Sequence, residues 1–220
     1  MNERSFSSHT KSMIETSPSR GENTRQKIIQ VAHQLFVQHG YHGASMRQIA
    51  QNAGIALGGL YNHFPSKEDL FEAVFLAYHP FNEVIPAIQQ ATGENVEGIL
   101  RDAMRRMVSA LESRPEFLKL VFIEIVELNG MHANQLFIIL FPQLQRIAER
   151  IYDQHRSRLR SIPLSIFIRS FIGLFFSYFL TELLFARLAP ADFNQNAVDH
   201  MLDIYLHGIL KPGSPSIGVT

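Results

Sequence analysis

The stretch GIALGGLYNHFPSKEDL, residues 54–70, decides how this chain folds. It predicts a very short helix that ends near Phe64, because Pro65 disfavours helical geometry in the residue before it. Two adjacent glycines, Gly58 and Gly59, lie inside that helix, although each lowers helix stability by about 0.5–1 kcal/mol relative to alanine. A requirement other than helix propensity therefore selects glycine at these positions.

The residues on either side of Gly54 predict a helix-turn-helix. Such a motif needs a small residue where its two helices cross and a glycine at the left-handed turn. Ala50 and Gly54, four residues apart, meet both needs, and Ser45–Gln48 forms a capping box that begins the first of the two helices. The inward faces are supplied by four apolar residues: Ile49, Ala53, Ile55 and Leu60.

Two further helices flank the motif. The first is predicted to start with Thr24 as its cap, to run through His39 and to stop at Gly40. The second begins after Ser66, whose hydroxyl is placed to cap it. The N-terminal unit is therefore expected to consist of several short helices around a small apolar core.

The composition excludes several classes of function. The chain has 220 residues, 46% of them hydrophobic, and no cysteine. A thiol nucleophile, a disulfide framework and a thiolate zinc site are therefore impossible. The sequence also has no glycine-rich phosphate loop and no H-E-x-x-H motif, so we expect neither an enzyme nor a metal or organic cofactor.

Charge is distributed unevenly, although the formal net charge is zero. All 20 carboxylates lie outside residues 23–67, whereas Arg25, Lys27, Arg47 and Lys67 lie inside this segment. A segment that carries basic residues and no carboxylates suits a polyanionic partner. The distribution favours nucleic acid as the partner of the N-terminal unit.

The chain beyond residue 79 is predicted to be entirely helical. Pro80 and Pro86 bracket a junction, Pro142 should kink a long helix, and helices are expected over 94–113, 115–128, 132–158, 163–188 and 197–210. The segment 163–188 is apolar almost all round, but its longest uncharged run is short of the roughly 18–20 residues that span a bilayer. We expect it to be a buried helix, with no membrane partner.

These patterns divide the chain into four parts. The fold class is all-α, with an N-terminal three-helix helix-turn-helix domain, expected to bind DNA, joined to a larger helical bundle. The expected parts are a flexible N-terminal arm, the helix-turn-helix domain, the bundle and a flexible tail: residues 1–23, 24–79, 80–211 and 212–220.

Residues 24–71, taken together, strongly resemble the N-terminal domain of the tetracycline-repressor (TetR) family of bacterial transcription regulators. They read TRQKIIQVAHQLFVQHGYHGASMRQIAQNAGIALGGLYNHFPSKEDLF. The resemblance is carried by thirteen residues: Ala32, Phe36, Gly40, Ile49, Ala50, Ala53, Gly54, Gly58, Leu60, Tyr61, Phe64, Lys67 and Leu70.

This resemblance implies a cytoplasmic homodimer that binds a palindromic double-stranded DNA operator and places its third helix, about residues 57–63, in the major groove. The two adjacent glycines then let the helix backbone approach the DNA. The residues that resemblance places on the DNA are Arg25, Lys27, Ser45, Arg47, Leu57, Gly58, Gly59, Tyr61, His63 and Lys67.

Two positions depart from the family pattern. Family members often carry serine at the position of Ala56, and the loss of a hydroxyl cap costs a helix roughly 0.5–2 kcal/mol. They also often carry a polar or basic residue at the position of Leu57, which here offers a base only an apolar contact, such as one to a thymine methyl group. The surface that reads DNA is therefore less polar than the family pattern.

Resemblance assigns the larger domain two roles, dimerisation and binding of a small effector that releases the DNA. Small residues recur at every fourth position of one apolar helix, which lets a second helix approach closely, either from a partner subunit or within one subunit. The expected dimer interface consists of Gly173, Ser177, Thr181, Met201, Leu202 and Tyr205.

Polar residues within the apolar helices are candidates for an effector site. Buried charges need partners, and these residues either pair with one another or meet a small apolar or amphipathic ligand. The candidates are Glu124, Glu127, Asn129, His132, Arg169, Tyr178 and Glu182. The alternative function is an apolar-ligand carrier or a helical interaction module that does not bind DNA specifically.

Overall fold

The computed structural model describes residues 19–112, 114, 116–185 and 196–211. Helices account for most of these residues, and none of them forms a β-strand, which confirms the predicted all-α class. Most of the predicted N-terminal arm and the whole of the predicted tail lie outside the described residues. The helices are α1 Arg20–Gly43, α2 Met46–Ala53, α3 Leu57–His63, α4 Lys67–Tyr78, α5 Phe81–Gln89, α6 Val96–Glu112, α7 Phe117–Val126, α8 Ala133–Gln154, α9 Leu164–Phe185 and α10 Ala197–Ile209.

Helix α1 begins at Arg20 and its cap lies five residues before the predicted one, so the assignment of Thr24 as its cap is wrong. Ser19 caps the helix in a reciprocal capping box with Glu22. The Thr24 hydroxyl instead donates a hydrogen bond to the Arg20 carbonyl, one turn back, at 2.9 Å. Gly40 is predicted to stop the helix, but with a φ of 75° it kinks the helix, which continues to Gly43.

The helix-turn-helix has the predicted geometry. Gly54 ends α2 in the left-handed conformation, with a φ of 68° and a ψ of 36°. Ser45 and Gln48 form the predicted capping box at the start of α2, and Ser66 caps α4 by accepting from the Asp69 amide. The predicted boundaries of α3 agree with the structure, and Ala56 supplies no side-chain cap to it.

The region after α4 differs from its prediction. The sequence predicts a junction bracketed by Pro80 and Pro86 and no separate helix there, but residues 81–89 form α5 with Pro86 inside it. Pro80 is accommodated because it stands just before the helix, where an amide hydrogen would have no partner within the helix. Pro86 removes one backbone hydrogen bond from a helix that packs closely against α6.

Two apolar cores hold the molecule together. One lies among α1–α4 and includes Phe36, Leu60, Phe64 and Phe71. The other lies among the helices α5, α6 and α8–α10. Helix α7 joins them, because its residues Leu120 and Ile123 are buried in the N-terminal core although the chain contributes them far downstream. The larger domain therefore packs directly onto the helix-turn-helix domain.

Helix α9 is less buried than its sequence suggested. Phe167, Ile168, Phe171 and Phe175 pack into the core, but only 22% of its most apolar 18-residue stretch is buried. By length and composition it is also the one described helix that is apolar enough to cross a membrane, which by itself is weak grounds for a span. Its outer face exposes a row of large apolar residues: Ile166, Phe176, Leu180, Leu183, Leu184 and Phe185.

A buried polar pair closes the turn between α7 and α8. The Glu124 carboxylate accepts from the His132 amide at 2.5 Å and lies 2.8 Å from the His132 Nδ1 atom. Both side chains are almost fully buried. Of the two alternatives predicted for these polar residues, the structure shows mutual pairing for Glu124 and His132.

We expect Glu124→Ala to lower the free energy of unfolding by about 3 kcal/mol, because it leaves the His132 ring and amide without their acceptor inside an apolar core. Urea denaturation followed by circular dichroism measures this change. Glu149→Ala, on the exposed surface of α8, is the control and should shift the free energy by less than about 0.5 kcal/mol. Equal effects for the two variants would contradict a structural role for the Glu124–His132 pair.

Candidate nucleic-acid interface

The outer face of helix α3 combines two exposed large side chains with two glycines. Leu60 faces the core and is fully buried, whereas Leu57 and Tyr61 are 40% and 46% exposed. Among the residues that the structure describes, a Cβ atom added at Gly58 or Gly59 would meet no other atom within 4 Å. Packing within the chain therefore does not require glycine at either position, and the space in front of this helix is open.

The basic residues lie around this helix and carry no paired carboxylate. Within the part of the chain that the structure describes, Arg25, Lys27, Arg47 and Lys67 form no salt bridge. Arg25 lies over the Phe64 ring at 4.7 Å and Lys67 over the Tyr41 ring at 4.3 Å. These ring contacts hold two of the cations close to the protein surface without neutralising them.

The environment of Lys67 links it to the larger domain. Partial burial lowers the pKa of Lys67, and the carboxylates of Glu127 and Glu68 oppose this shift. Burial also raises the pKa of Tyr41 to about 12, so the ring beneath the lysine is a neutral phenol at physiological pH. Lys67 thus interacts electrostatically with Glu127 of the bundle.

The other DNA-contact candidates also face outward. Gly59, His63 and Lys67 are half-buried, and the remaining seven candidates are exposed. The Ser45 hydroxyl accepts from the Gln48 amide and donates to the Gln48 side chain, so it serves the α2 cap first. The structure brings all ten predicted residues to the surface of one small domain.

The predicted effector residues do not form one site. Glu127 accepts a hydrogen bond from the His42 amide of the N-terminal domain at 2.8 Å. Asn129 is in the left-handed turn after α7, and Arg169 is exposed on α9. Burial raises the pKa of Tyr178, and the nearby Glu182 adds to this shift. Glu127 is therefore held by the N-terminal domain, and the predicted cluster is dispersed.

A different region of the bundle contains a small apolar cavity. It has a volume of about 40 Å³ and lies between α6, α8 and α9. Its lining carries no exposed polar surface and includes Ala103, Met107, Ile147, Phe167 and Phe171. None of the predicted effector residues lines it. The amphipathic stripe of α6 is the sequence pattern that includes residues of the cavity lining. Such a stripe does not distinguish a cavity wall from a solid core.

The predicted dimer residues fall into two groups. Gly173 and Ser177 are exposed, and a Cβ atom at Gly173 would meet nothing within 4 Å, so packing within one subunit does not explain this glycine. Leu202 is fully buried within the protomer, so its assignment to the interface is wrong. The outward face of α10 instead carries Ile204, which is 75% exposed, and Gly208 one turn further on.

The fold and this surface define a helix-turn-helix domain joined to a helical bundle. Residues 28–74 match the sequence profile described as bacterial regulatory proteins, tetR family. The match lies within the N-terminal domain, which is therefore similar to the DNA-binding domain of this family.

Three known proteins illustrate the similarity. The transcriptional regulator UidR of Escherichia coli K12 is 38% identical over 64 residues, which are 29% of this chain and 33% of UidR. The chain thus aligns with about a third of the length of the first relatives it matches. SrpR of Pseudomonas putida, a transcriptional regulator, is 26% identical over 183 residues, 82% of each chain. The NalD structure, a repressor of a multidrug efflux pump in Pseudomonas aeruginosa, matches the fold with a TM-score of 0.64 and 22% identity, covering 87% of this chain and 99% of NalD.

We expect Gly58→Leu to abolish binding to operator DNA while the oligomeric state stays unchanged and the thermal midpoint does not fall. The added side chain enters open space in the free protein, and leucine favours a helix more than glycine does. An electrophoretic mobility shift with the duplex selected by the wild-type protein measures binding, and circular dichroism measures stability. Normal binding would show that the glycine is not there for close approach of the backbone.

Proposed function

We propose that this protein is a ligand-responsive transcriptional regulator, a repressor that binds a palindromic operator as a homodimer in the cytoplasm. One observation carries the proposal: α3 is an exposed helix whose two glycines have open space before them and whose surroundings bear unpaired basic residues. A bare helix flanked by cations suits the major groove, where a helix reads base edges while basic residues contact phosphates.

The reading surface is mainly apolar. The exposed Leu57 side chain is suited to contact a thymine methyl group, and the Tyr61 hydroxyl to contact a phosphate or a sugar. Close approach of the backbone at Gly58 and Gly59 brings these two side chains within reach of the bases. Sequence preference then arises from shape and methyl contacts as well as from hydrogen bonds.

Phosphate contacts supply most of the affinity in this proposal. Four basic residues on each of the two helix-turn-helix domains of the dimer would neutralise about eight phosphates. The logarithm of the binding constant should then fall with the logarithm of the salt concentration with a slope of about −7. A carrier of apolar ligands that does not recognise DNA would show no such dependence.

We expect Lys67→Gln to reduce the magnitude of this slope by about 2, because the helix-turn-helix domain of each subunit loses one phosphate contact. Fluorescence anisotropy of a labelled palindromic duplex at several salt concentrations measures the slope. Lys211→Gln, which makes the same change beyond the end of α10, is the control and should leave the slope unchanged. Failure of the wild-type protein to bind any palindrome with a negative salt slope would contradict the proposed function.

The dimer is proposed to form through the outer faces of α9 and α10. A run of exposed apolar residues on a soluble protein indicates an interaction surface, and Gly173 together with Ser177 lets another helix approach this run closely. Ile204 and Gly208 continue the surface on α10. Two copies of each helix related by a two-fold axis would bury these faces in a four-helix interface.

Gly173→Phe combined with Ser177→Phe should yield monomers, because two bulky side chains would hold the paired helices apart. Sedimentation velocity measures the mass, and circular dichroism checks the fold. Both positions are exposed in the protomer, so folding should survive the change. A stable dimer of this variant would contradict the proposed interface.

The effector is proposed to be a small apolar or amphipathic molecule that enters the bundle at the cavity lined by α6, α8 and α9. At about 40 Å³, this cavity is far smaller than the roughly 300 Å³ of a typical ligand pocket. An effector would therefore bind an expanded bundle better than the present one. Such differential affinity shifts the population away from the DNA-binding conformation. Indifference of operator affinity to every ligand that binds the bundle would contradict this mechanism.

A further inference from the structure

A single carboxylate of the larger domain is seated in the N-terminal domain. Glu127 follows the last residue of α7, and its Oε2 atom accepts from the His42 amide at 2.8 Å. The two residues are 85 positions apart in the sequence. The bond thus joins the end of α7 to the end of α1, across the boundary between the two domains.

Gly40 lies beside this carboxylate in the structure. A Cβ atom at this position would lie 2.7 Å from the Glu127 Oε1 atom, so the carboxylate would have to shift to admit a side chain. Gly40 also has a φ of 75°, which turns the chain at the end of α1. The glycine therefore both bends the chain and leaves the space that the carboxylate occupies.

The Glu127 carboxylate lies close in the structure to the elements that are proposed to face DNA. Three residues after His42, Ser45 caps α2, the first helix of the helix-turn-helix. On the other side, Glu127 acts electrostatically on Lys67, which stands at the start of α4 and lies over the ring of Tyr41. A displacement of the end of α7 would consequently be felt at the start of both α2 and α4.

We propose that Glu127 is a positioning residue that fixes the orientation of the helix-turn-helix domain on the larger domain. The apolar contact of Leu120 and Ile123 also joins the two domains, but burial of apolar surface has no preferred direction. A hydrogen bond to a carboxylate is directional and about twice as strong as a neutral one. Glu127 thus sets the angle between the helix-turn-helix domain and the larger domain. This angle in turn sets the separation of the two DNA-reading helices in the proposed dimer.

The same pair of helices offers a matched control. Glu116, at the other end of α7, lies 3.7 Å from the His33 ring and is 57% exposed. Burial lowers the pKa of His33 and Glu116 only partly opposes this, so the ring is neutral at physiological pH. The contact between Glu116 and His33 is long and exposed, and its histidine is uncharged. We therefore expect that it does not orient the helix-turn-helix domain.

The absence of native cysteine allows a direct measurement of orientation. Spin labels on Gln51→Cys in α2 and Arg146→Cys in α8, both exposed positions, report the separation of the two domains by double electron–electron resonance. Labelled protein is diluted with excess unlabelled protein, so that distances within one chain dominate. Glu127→Ala should broaden the distance distribution, whereas Glu127→Gln, which keeps an oxygen acceptor, and Glu116→Ala should not. An unchanged distribution for Glu127→Ala would overturn the proposal.

A second experiment tests the consequence for DNA, and it rests on the proposed function. The wild-type protein first selects a palindrome from a random duplex library, and its affinity is compared with that for the same half-sites separated by one additional base pair. Glu127→Ala should reduce the ratio of these affinities about tenfold, the equivalent of losing a charge-assisted hydrogen bond. Its affinity for a single half-site and its thermal midpoint should change little.

The outcomes separate the two proposals. If the wild-type protein selects no palindrome, the proposed function fails, and the spin-label distances still decide the role of Glu127. If the wild-type protein discriminates spacing and Glu127→Ala discriminates equally well, the positioning role is wrong. Loss of half-site affinity without a change in the ratio would also overturn it, because that result indicates local damage to the helix-turn-helix.

Discussion

The burial of Leu60 and Phe64 is the constraint on which the DNA-facing surface depends. A helix of seven residues with two glycines and no side-chain cap does not persist by itself, because helix nucleation is costly and each glycine lowers stability further. Phe36 and Phe71 form the core against which these two residues pack. Tertiary packing thus substitutes for helix propensity, and the outer face of α3 is free to remain bare.

Four glycines of the described residues share an unusual property. Gly58, Gly59, Gly173 and Gly208 lie inside helices, where glycine is unfavourable, and no described atom lies within 4 Å of the position that a Cβ atom would take. Gly40 is the opposite case, because its missing side chain makes room for a carboxylate of the same chain. The distinction matters for function: the open glycines are explained by another molecule, DNA in one proposal and a second subunit in the other.

Sequence patterns predicted the helix-turn-helix well because its determinants are local. The turn at Gly54, the caps at Ser45 and Ser66 and the stop before Pro65 each involve residues within a few positions of one another. The start of α1 was mistaken because Ser19 with Glu22 makes a full capping box, whereas Thr24 lies inside the helix. Local signals compete, and the reciprocal cap is the stronger one.

The larger domain was predicted less completely because its determinants are distant in sequence. Nothing near Glu127 indicates a partner 85 residues away, and polar residues in apolar helices look alike whether they bind a ligand or one another. Leu202 was assigned to the interface instead of Ile204 because α10 is apolar over much of its circumference, so its outward face is poorly defined by pattern alone. The cavity likewise needs three helices to be positioned together.

The proposed function requires two α3 helices presented to one face of DNA, and hydroxyl-radical footprinting tests this arrangement most directly. The arrangement predicts two protected stretches of backbone on the selected palindrome, about one helical turn apart or a multiple of it, symmetric about the centre. A single protected stretch, uniform protection along the duplex or no protection at all would contradict it.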